Sequence, residues 1–272
     1  MTGLFGLPVS VVSAPHPRRP ARSWLEQVVA WDAAGVDTLL VPDAAGLPSV
    51  VPALAAAAAV TTRIRLRPWV LAAPLRSPQV VVREVAALQH LSDGRAELGI
   101  GTGRPDAAAD AAALGVPWPA RASERLAQLE AVVSAVREGV PDAPVVVAAA
   151  GPKALAVAGR VADVVALATP PHATGDDVTA LAATATGAGG PSGGQRSPRL
   201  AWQLVAVGDR TSAFVARSGA TGAGLRAAGA AGALPADAHE AREQIAGLVR
   251  RCGIGELVVP EELAADVLAL RR

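Results

Sequence analysis

Short apolar runs and amphipathic segments alternate along almost the whole chain. Runs that are apolar at nearly every position predict strands buried on both faces, as in a parallel sheet covered by helices. Such runs predict eight strands, at residues 4–12, 37–41, 64–71, 94–100, 145–149, 164–168, 200–207 and 256–259.

Segments with apolar residues three and four positions apart predict helices between these strands. The predicted helices cover residues 23–34, 49–60, 77–91, 123–137, 153–161, 176–186, 236–250 and 261–270. Ser23 is expected to cap the first helix. Residues 187–198 are rich in Gly, Ser and Pro and predict a surface loop, whereas 217–235 match neither pattern clearly.

Eight strand–helix pairs within 272 residues predict an α/β fold, namely a single (β/α)8 TIM barrel domain covering residues 1–272. An open, doubly wound sheet is the alternative. The barrel is preferred because the strands number eight and because no Gly-x-Gly-x-x-Gly motif follows the first strand.

Composition and charge limit the possible functions. Hydrophobic residues make up 51% of the chain and include many alanines, with no Tyr and two Phe, so the core is built from small side chains. The net charge of +1 gives no reason to expect a nucleic-acid partner. Arg63, Arg65 and Arg67 share one face of a predicted strand, and we expect them to form a solvated strand end.

Cys252 is the only cysteine, so no intramolecular disulfide can form, which is compatible with a cytoplasmic location. No basic signal-peptide segment begins the chain, and the longest apolar run, 50–60, is too short to span a bilayer. Neither metal-ligand spacings nor a serine nucleophile motif occur in the sequence. We therefore expect neither membrane association nor a metal site.

The segment 145–163 carries the strongest chemical signal. A predicted buried strand ends at Ala149, and Ala150 and Gly151 lead to Pro152, which suits the first turn of a helix. The free N–H groups of such a helix start, together with the positive end of the helix dipole, favour an anion. A phosphorylated cofactor would fit there, and a plain strand-to-helix connection is the alternative.

Other candidates follow the earlier strands, at the end where barrels place their active sites. Asp43 follows the second strand and either binds a ligand or caps a turn. Thr102 lies between two glycines, the second of which is Gly103, and this suits close approach of a cofactor. His16 lies in the first loop and could face the barrel mouth. Because the histidines are few and scattered, we expect a bound cofactor to supply the difficult chemistry.

Five motifs occur in a fixed order: Gly-Val-Asp-Thr-Leu-Leu-Val-Pro-Asp at 35–43, Leu-Arg-Ser-Pro at 75–78, Leu-Ser-Asp-Gly-Arg at 91–95, Leu-Gly-Ile-Gly-Thr-Gly at 98–103, and 145–163 with its Gly-Pro-Lys. Their order and spacing resemble those of the luciferase-like flavin and deazaflavin oxidoreductases. The resemblance covers residues 1–168 well and returns at 243–260. The last motif is similar to the subgroup that uses coenzyme F420.

The resemblance implies a (β/α)8 barrel that binds coenzyme F420, or alternatively FMN, at the carboxyl ends of its strands. It implies a non-proline cis peptide between Trp69 and Val70, which would lie against the cofactor ring, with Thr102 and Gly103 beside the cofactor. Main-chain contacts to the cofactor phosphate would fall on Ala149, Ala150, Gly151 and Pro152.

The implied function is that of an F420-dependent oxidoreductase that transfers hydride to or from a small organic substrate. Asp43 or His16 would supply the accompanying proton. An FMN-dependent monooxygenase of the same fold and a degenerate, non-catalytic barrel are the alternatives. The family also implies a homodimer that pairs through the early helices.

Three positions depart from the family pattern. Ala44 stands where the family often has a histidine, and Arg104 stands where sugar-phosphate-oxidising members have a glutamate. The acid/base pair of those members is therefore absent, and we do not expect a sugar phosphate as the substrate. Trp69 replaces a small residue near the ring, where its indole could stack on a substrate or partly fill the pocket.

Overall fold

The structure is a computed structural model that describes residues 6–44, 46–104, 106–187 and 197–271. Within these residues the strands are β1 (Val9–Val12), β2 (Thr38–Val41), β3 (Arg65–Pro68), β4 (Leu71–Ala72), β5 (Leu98–Gly101), β6 (Val145–Ala149), β7 (Val164–Leu167), β8 (Arg199–Gln203), β9 (Ala206–Val207), β10 (Arg210–Thr211), β11 (Ala233–Leu234) and β12 (Ile254–Pro260).

The α-helices of the same residues are α1 (Ala21–Ala33), α2 (Val50–Val60), α3 (Pro78–Leu91), α4 (Ala107–Leu114), α5 (Ala122–Gly139), α6 (Pro152–Val161), α7 (Gly175–Gly187), α8 (Ala213–Arg217), α9 (Gly222–Ala227), α10 (Ala238–Cys252) and α11 (Ala264–Ala269). Short 3-10 turns lie at Ala73–Leu75 and Glu261–Leu263. None of the described helices combines the length and apolar character needed to cross a bilayer.

The chain divides into two compact units. The first unit comprises Met1–Val12, Ala150–Arg160 and Val164–Arg272, and the second comprises Ser13–Ala149 and Val161–Asp163. In the first unit β1, β12, β8 and β7 pair side by side in parallel, and β10, β9 and β11 form a small separate sheet.

In the second unit β2 pairs with β3 in parallel, and β5 pairs in parallel with both β4 and β6. Helix α2 packs on α3, and α3 packs on α5. Their shared core contains Val81, Val85, Leu88 and Leu129, all of which are buried. Parallel strands separated by helices are the arrangement that the hydrophobic pattern predicts.

Each of the eight predicted strands is found, with the predicted bounds at 145–149 and with different bounds for the others. The predicted strand 64–71 is interrupted, because the backbone leaves the sheet at Trp69 and Val70 between β3 and β4. The pattern missed α4, whose alanines show no apolar face, and also α8 and α9. Residues 4 and 5 of the first predicted strand, and 188–196 of the predicted loop, lie outside the described residues.

Ser23 does not cap the first helix, so that expectation is wrong. Helix α1 begins two residues earlier, after Pro20, and the Ser23 hydroxyl instead donates a hydrogen bond of 2.8 Å to the Pro20 carbonyl. Pro20 and the following residues begin the helix without a side-chain cap.

Asp32 joins the end of α1 to the start of β3. Its carboxylate accepts main-chain N–H bonds from Thr62, Arg63 and Ile64 at 3.0, 3.1 and 2.7 Å. Burial opposes ionisation of this group, but the three N–H donors outweigh burial and lower the pKa of Asp32. The ionised carboxylate therefore fixes the position at which the third strand begins.

The three arginines at 63, 65 and 67 do not form a solvated strand end, so that expectation is also wrong. Arg67 is fully buried, and its Nε lies 2.5 Å from a carboxylate oxygen of Glu97, which is itself 4% exposed. Arg65 binds the other oxygen of the same carboxylate. The Arg63 guanidinium donates to the main-chain carbonyl of Asp32. Arg67 and Arg65 thus pair with one buried carboxylate, whereas the exposed Arg63 bonds to the main chain.

Candidate functional site

Asp43 lies just beyond the end of β2 and is paired with a cation. Its Oδ2 is 2.8 Å from Nη1 of Arg76, and both side chains are 18% exposed. This Nη1 does not reach hydrogen-bond geometry with any described acceptor, so the contact is a close ion pair. Arg76 follows the 3-10 turn after β4, at the same end of the strands. The pairing fixes the direction of the Asp43 carboxylate.

Glu84 on α3 is a second carboxyl group near Arg76. Its Oε2 is buried and has no hydrogen-bond partner among the described residues. Burial raises the pKa of Glu84; the positive Arg76 lowers it in part, and the negative Asp43 raises it further. Glu84 therefore lies close enough to Asp43 and Arg76 to respond to their charges, but its Oε2 forms no hydrogen bond with a described residue.

Glu84→Gln is expected to raise the melting temperature at pH 7. Because the folded chain raises the pKa of Glu84 above its usual 4.5, the folded state binds more protons than the unfolded state just above that pH. The free energy of unfolding therefore falls as the pH rises above about 4.5 and Glu84 ionises. Glutamine does not ionise, so the variant does not lose this stability. Thermal unfolding between pH 4 and 8 should show a flatter profile for the variant. Glu26→Gln, an exposed change on α1, is the control, and equal profiles for the two variants would contradict the expectation.

His16 lies in an exposed turn. Its Nδ1 accepts a hydrogen bond of 3.1 Å from the main-chain N–H of Arg18. Within the described residues no hydrogen bond or ion pair joins His16 to Asp43, so the structure does not bring the two predicted proton donors into contact. Their catalytic roles stay predictions.

The peptide between Trp69 and Val70 is cis, at the position that the family resemblance implied. The Trp69 N–H donates to the carbonyl of Val41 at the end of β2, at 2.8 Å. Val70 Cγ2 is 3.1 Å from the place where a Cβ on Gly101 would stand, and the carbonyl oxygen of Ala148 is 3.4 Å from it. Glycine at 101 therefore allows the ends of β5 and β6 to meet this segment.

Because residue 103 is a glycine, the side chain of Trp118 can pack closely against the backbone there. A Cβ at Gly103 would lie 2.5 Å from Cη2 of Trp118, and the φ of +90° also favours glycine. The Arg125 guanidinium lies over the Trp118 ring, 5.4 Å from its centre. Thr102 is half-buried, and its hydroxyl bonds to no other described residue. Trp118 escaped prediction because it is distant in sequence from Gly103 and lies in none of the motifs.

Arg104 forms ion pairs with two aspartates at the start of α4. Its Nε is 3.0 Å from Asp106 Oδ1, and its Nη2 is 2.8 Å from Asp110 Oδ2. The hydrogen bond from Arg104 lowers the pKa of Asp106. The position at which the resemblance would have suggested an acid therefore carries a cation that is already paired with two carboxylates.

The turn into α6 is open. Ala150, Gly151, Pro152 and Lys153 are exposed, whereas Ala149 is buried at the end of β6. No atom lies within 4 Å of the place where a Cβ on Gly151 would stand. The N–H of Lys153 belongs to the first turn, where a helix offers no acceptor. Lys153 is also the single lysine among the 25 Lys and Arg residues of the chain.

The next feature is the grouping of side chains that could bind a metal ion. In residues 6–44, 46–104, 106–187 and 197–271, no three His, Cys, Asp or Glu side chains come together closely enough to hold a metal ion. The free Cys252 is buried, and its Sγ lies 3.2 Å from the Thr179 hydroxyl.

Comparisons with known proteins identify the family to which this chain belongs. The profile of the luciferase-like monooxygenase family matches residues 3–251, so the chain belongs to that family. An F420-dependent glucose-6-phosphate dehydrogenase from Beutenbergia cavernae is 35% identical over 174 residues, which is 52% of this chain and 51% of that protein. The match therefore spans about half the length of this curated relative.

Solved structures share the fold at low identity. An F420-dependent tetrahydromethanopterin reductase from Methanopyrus kandleri has a TM-score of 0.76 at 16% identity, covering 97% of each chain. An F420-dependent secondary alcohol dehydrogenase has a TM-score of 0.71 at 15% identity, covering 97% of each chain. The oxygenating constituent of a Pseudomonas putida 3,6-diketocamphane monooxygenase, in complex with FMN, has a TM-score of 0.70 at 15% identity, covering 97% of this chain and 96% of that one. These likenesses confirm the predicted (β/α)8 barrel.

Proposed function

We propose that this protein is an F420-dependent oxidoreductase that transfers hydride to or from a small organic substrate. The observation that carries the proposal is the open turn at Gly151, which leads into the first turn of α6 with Lys153 beside it. Family membership supports it. When bound, F420 would supply the hydride exchange, and the protein would orient it and manage the proton.

The turn suits a phosphate for two reasons. The first-turn N–H groups and the helix dipole favour a negative charge. Lys153 carries a positive charge at the positive end of α6, which is unfavourable by about 0.3–1 kcal/mol without an anion and favourable with one. We assign the phosphate contacts to the main chain of Ala149, Ala150, Gly151 and Pro152, with the Lys153 ammonium beside them.

In the second unit we assign contacts with the cofactor ring to Trp69, Val70 and Thr102. We assign Gly103 to the same cofactor contacts, and its lack of a side chain also lets Trp118 pack against this loop. Asp43 is the better placed of the two proposed acid/base groups, because Arg76 holds its carboxylate in one direction, whereas His16 is exposed. Arg76 acts through Asp43 and is therefore a positioning residue.

An FMN-dependent monooxygenase is the second candidate, because the same turn would serve the single phosphate of FMN and an FMN complex shares the fold. We also propose that the substrate is not a sugar phosphate, because Ala44 and the paired Arg104 replace the family's acid/base residues. We infer a homodimer and a cytoplasmic location from the family resemblance and the lone cysteine. The single barrel domain over residues 1–272 stays a prediction.

Titration with F420 and with FMN tests the proposal, with fluorescence as the measurement. F420 is expected to bind at least about tenfold more tightly than FMN, a difference of about 1.4 kcal/mol. Tighter binding of FMN would make the monooxygenase the better assignment. If the folded protein binds neither compound, the non-catalytic barrel becomes the better assignment.

A further inference from the structure

A cavity of about 300 Å³ lies within the first unit, beside the start of α7 and against α9, β11 and α10. Its polar lining includes Arg226, Gln244 and Arg251, and its apolar lining includes Ala230, Ala231 and Leu248. The volume is at the small end of the range for sites that bind small molecules. None of these residues lies in the five family motifs or among the proposed cofactor contacts, although Gln244, Leu248 and Arg251 fall within 243–260, where the family resemblance returns.

Arg226 is held in place by the loop next to it. Its Nη1 donates to the carbonyl of Gly208, and its Nη2 lies 3.1 Å from a carboxylate oxygen of Asp209. The Asp209 side chain is 87% exposed, so water screens most of its charge. Arg226 therefore lines the cavity with a guanidinium of fixed position, and its ion-pair partner is mostly in water.

Arg251 rests against two glycines. Its Nη2 lies 3.0 Å from the place where a Cβ on Gly175 would stand, and its Nη1 lies 3.3 Å from the corresponding place on Gly247. Side chains at either glycine would press on the guanidinium. No carboxylate of the described residues forms an ion pair with Arg251, so its charge is uncommitted.

The neighbouring polar groups do not neutralise this second cation. Asp177 of α7 accepts hydrogen bonds from the N–H and the hydroxyl of Thr174, both at 2.8 Å. Gln244 donates to the carbonyls of Ala231 and Ala233 at 2.8 and 3.2 Å. Asp176, an exposed neighbour, is the remaining acid of this helix turn.

We propose that this cavity binds a small phosphate monoester. Guanidinium groups bind phosphate oxygens in pairs, and two of them bordering one cavity suit a doubly charged oxyanion. The alanine and leucine side chains provide an apolar wall, which suits a short organic group attached to the phosphate. The proposal does not depend on the nature of the redox cofactor.

Ligand-observed ³¹P NMR titrations with n-propyl phosphate and with inorganic phosphate test this proposal. The wild type is expected to bind n-propyl phosphate at least tenfold more tightly than inorganic phosphate. Arg251→Gln is expected to weaken n-propyl phosphate binding at least tenfold. Arg250→Gln, which removes an exposed charge from the adjacent position of α10, is the matched control and should bind as the wild type does.

A second variant keeps the Arg251 charge and adds a methyl group next to its guanidinium. Gly175→Ala should displace the Arg251 guanidinium and weaken binding severalfold, with unfolding by heat little changed. Gly151→Asp, at the turn into α6, should leave n-propyl phosphate binding unchanged. Equal binding by the wild type and Arg251→Gln, or equal affinity for the two phosphates, would overturn the proposal.

Discussion

Gly151→Asp is expected to weaken the binding of coenzyme F420 by about 100-fold, with the fold intact. Two like charges about 5 Å apart repel by about 3 kcal/mol at an effective dielectric constant of about 20, which is a factor of about 100 in Kd. The fold tolerates the side chain because nothing lies within 4 Å of its Cβ position. Aspartate is also a favoured residue at a helix N-cap, so the melting temperature should stay the same or rise slightly.

Gly151→Asn is the matched control for this variant. Asparagine has nearly the same size and caps a helix equally well, but it carries no charge. F420 fluorescence titrations should therefore show a much smaller loss for asparagine than for aspartate. Equal losses in the two variants would indicate steric exclusion alone. Wild-type affinity in both would show that the turn into α6 does not hold the phosphate.

Glu97→Gln is expected to lower the free energy of unfolding by about 3–5 kcal/mol, because it removes the negative member of a buried ion pair. Glu97 is 4% exposed, and its partner Arg67 is fully buried. Glutamine keeps the shape of the side chain but leaves the Arg67 charge with less compensation. Urea unfolding of the wild type and the variant measures the difference.

Arg65→Gln provides the comparison at the same carboxylate. Arg65 is 38% exposed on its side chain, so water replaces much of what the pair contributes, and the loss should be below about 1 kcal/mol. The contrast between the two variants isolates burial as the cause. A Glu97→Gln protein as stable as Arg65→Gln would contradict this account.

Local patterns made most of the fold predictable. The apolar run at 145–149 and the proline at 152 gave the bounds of β6 and the start of α6 almost to the residue, because strand and helix periodicities are properties of neighbouring residues. Helix α4 escaped prediction, since a run of alanines has no amphipathic face. Ser23 was misassigned because Pro20 allows the helix to begin earlier.

The candidate site was only partly predictable. Asp43 was identified, but its partner Arg76 was not, because the pair forms between loops that follow different strands. Glu84 was not predicted either, because its raised pKa depends on burial and on the charges of Arg76 and Asp43, which lie on other segments. Gly103 was predicted to lie beside the cofactor, and this stays a prediction; the close packing of Trp118 at Gly103 was not predicted, because Trp118 lies outside the motif.

By itself, the sequence determined the order of strands and helices, the family, and the open turn at Gly151, because each of these depends on residues close together in the chain. The tertiary structure decided which charges are buried and what they pair with. Arg67 shows the reason: alternation places it on a strand face, but only the packing of β3 beside Glu97 removes water from it. Desolvation and charge pairing are set by residues distant in sequence, and they determine what an ionisable side chain can do.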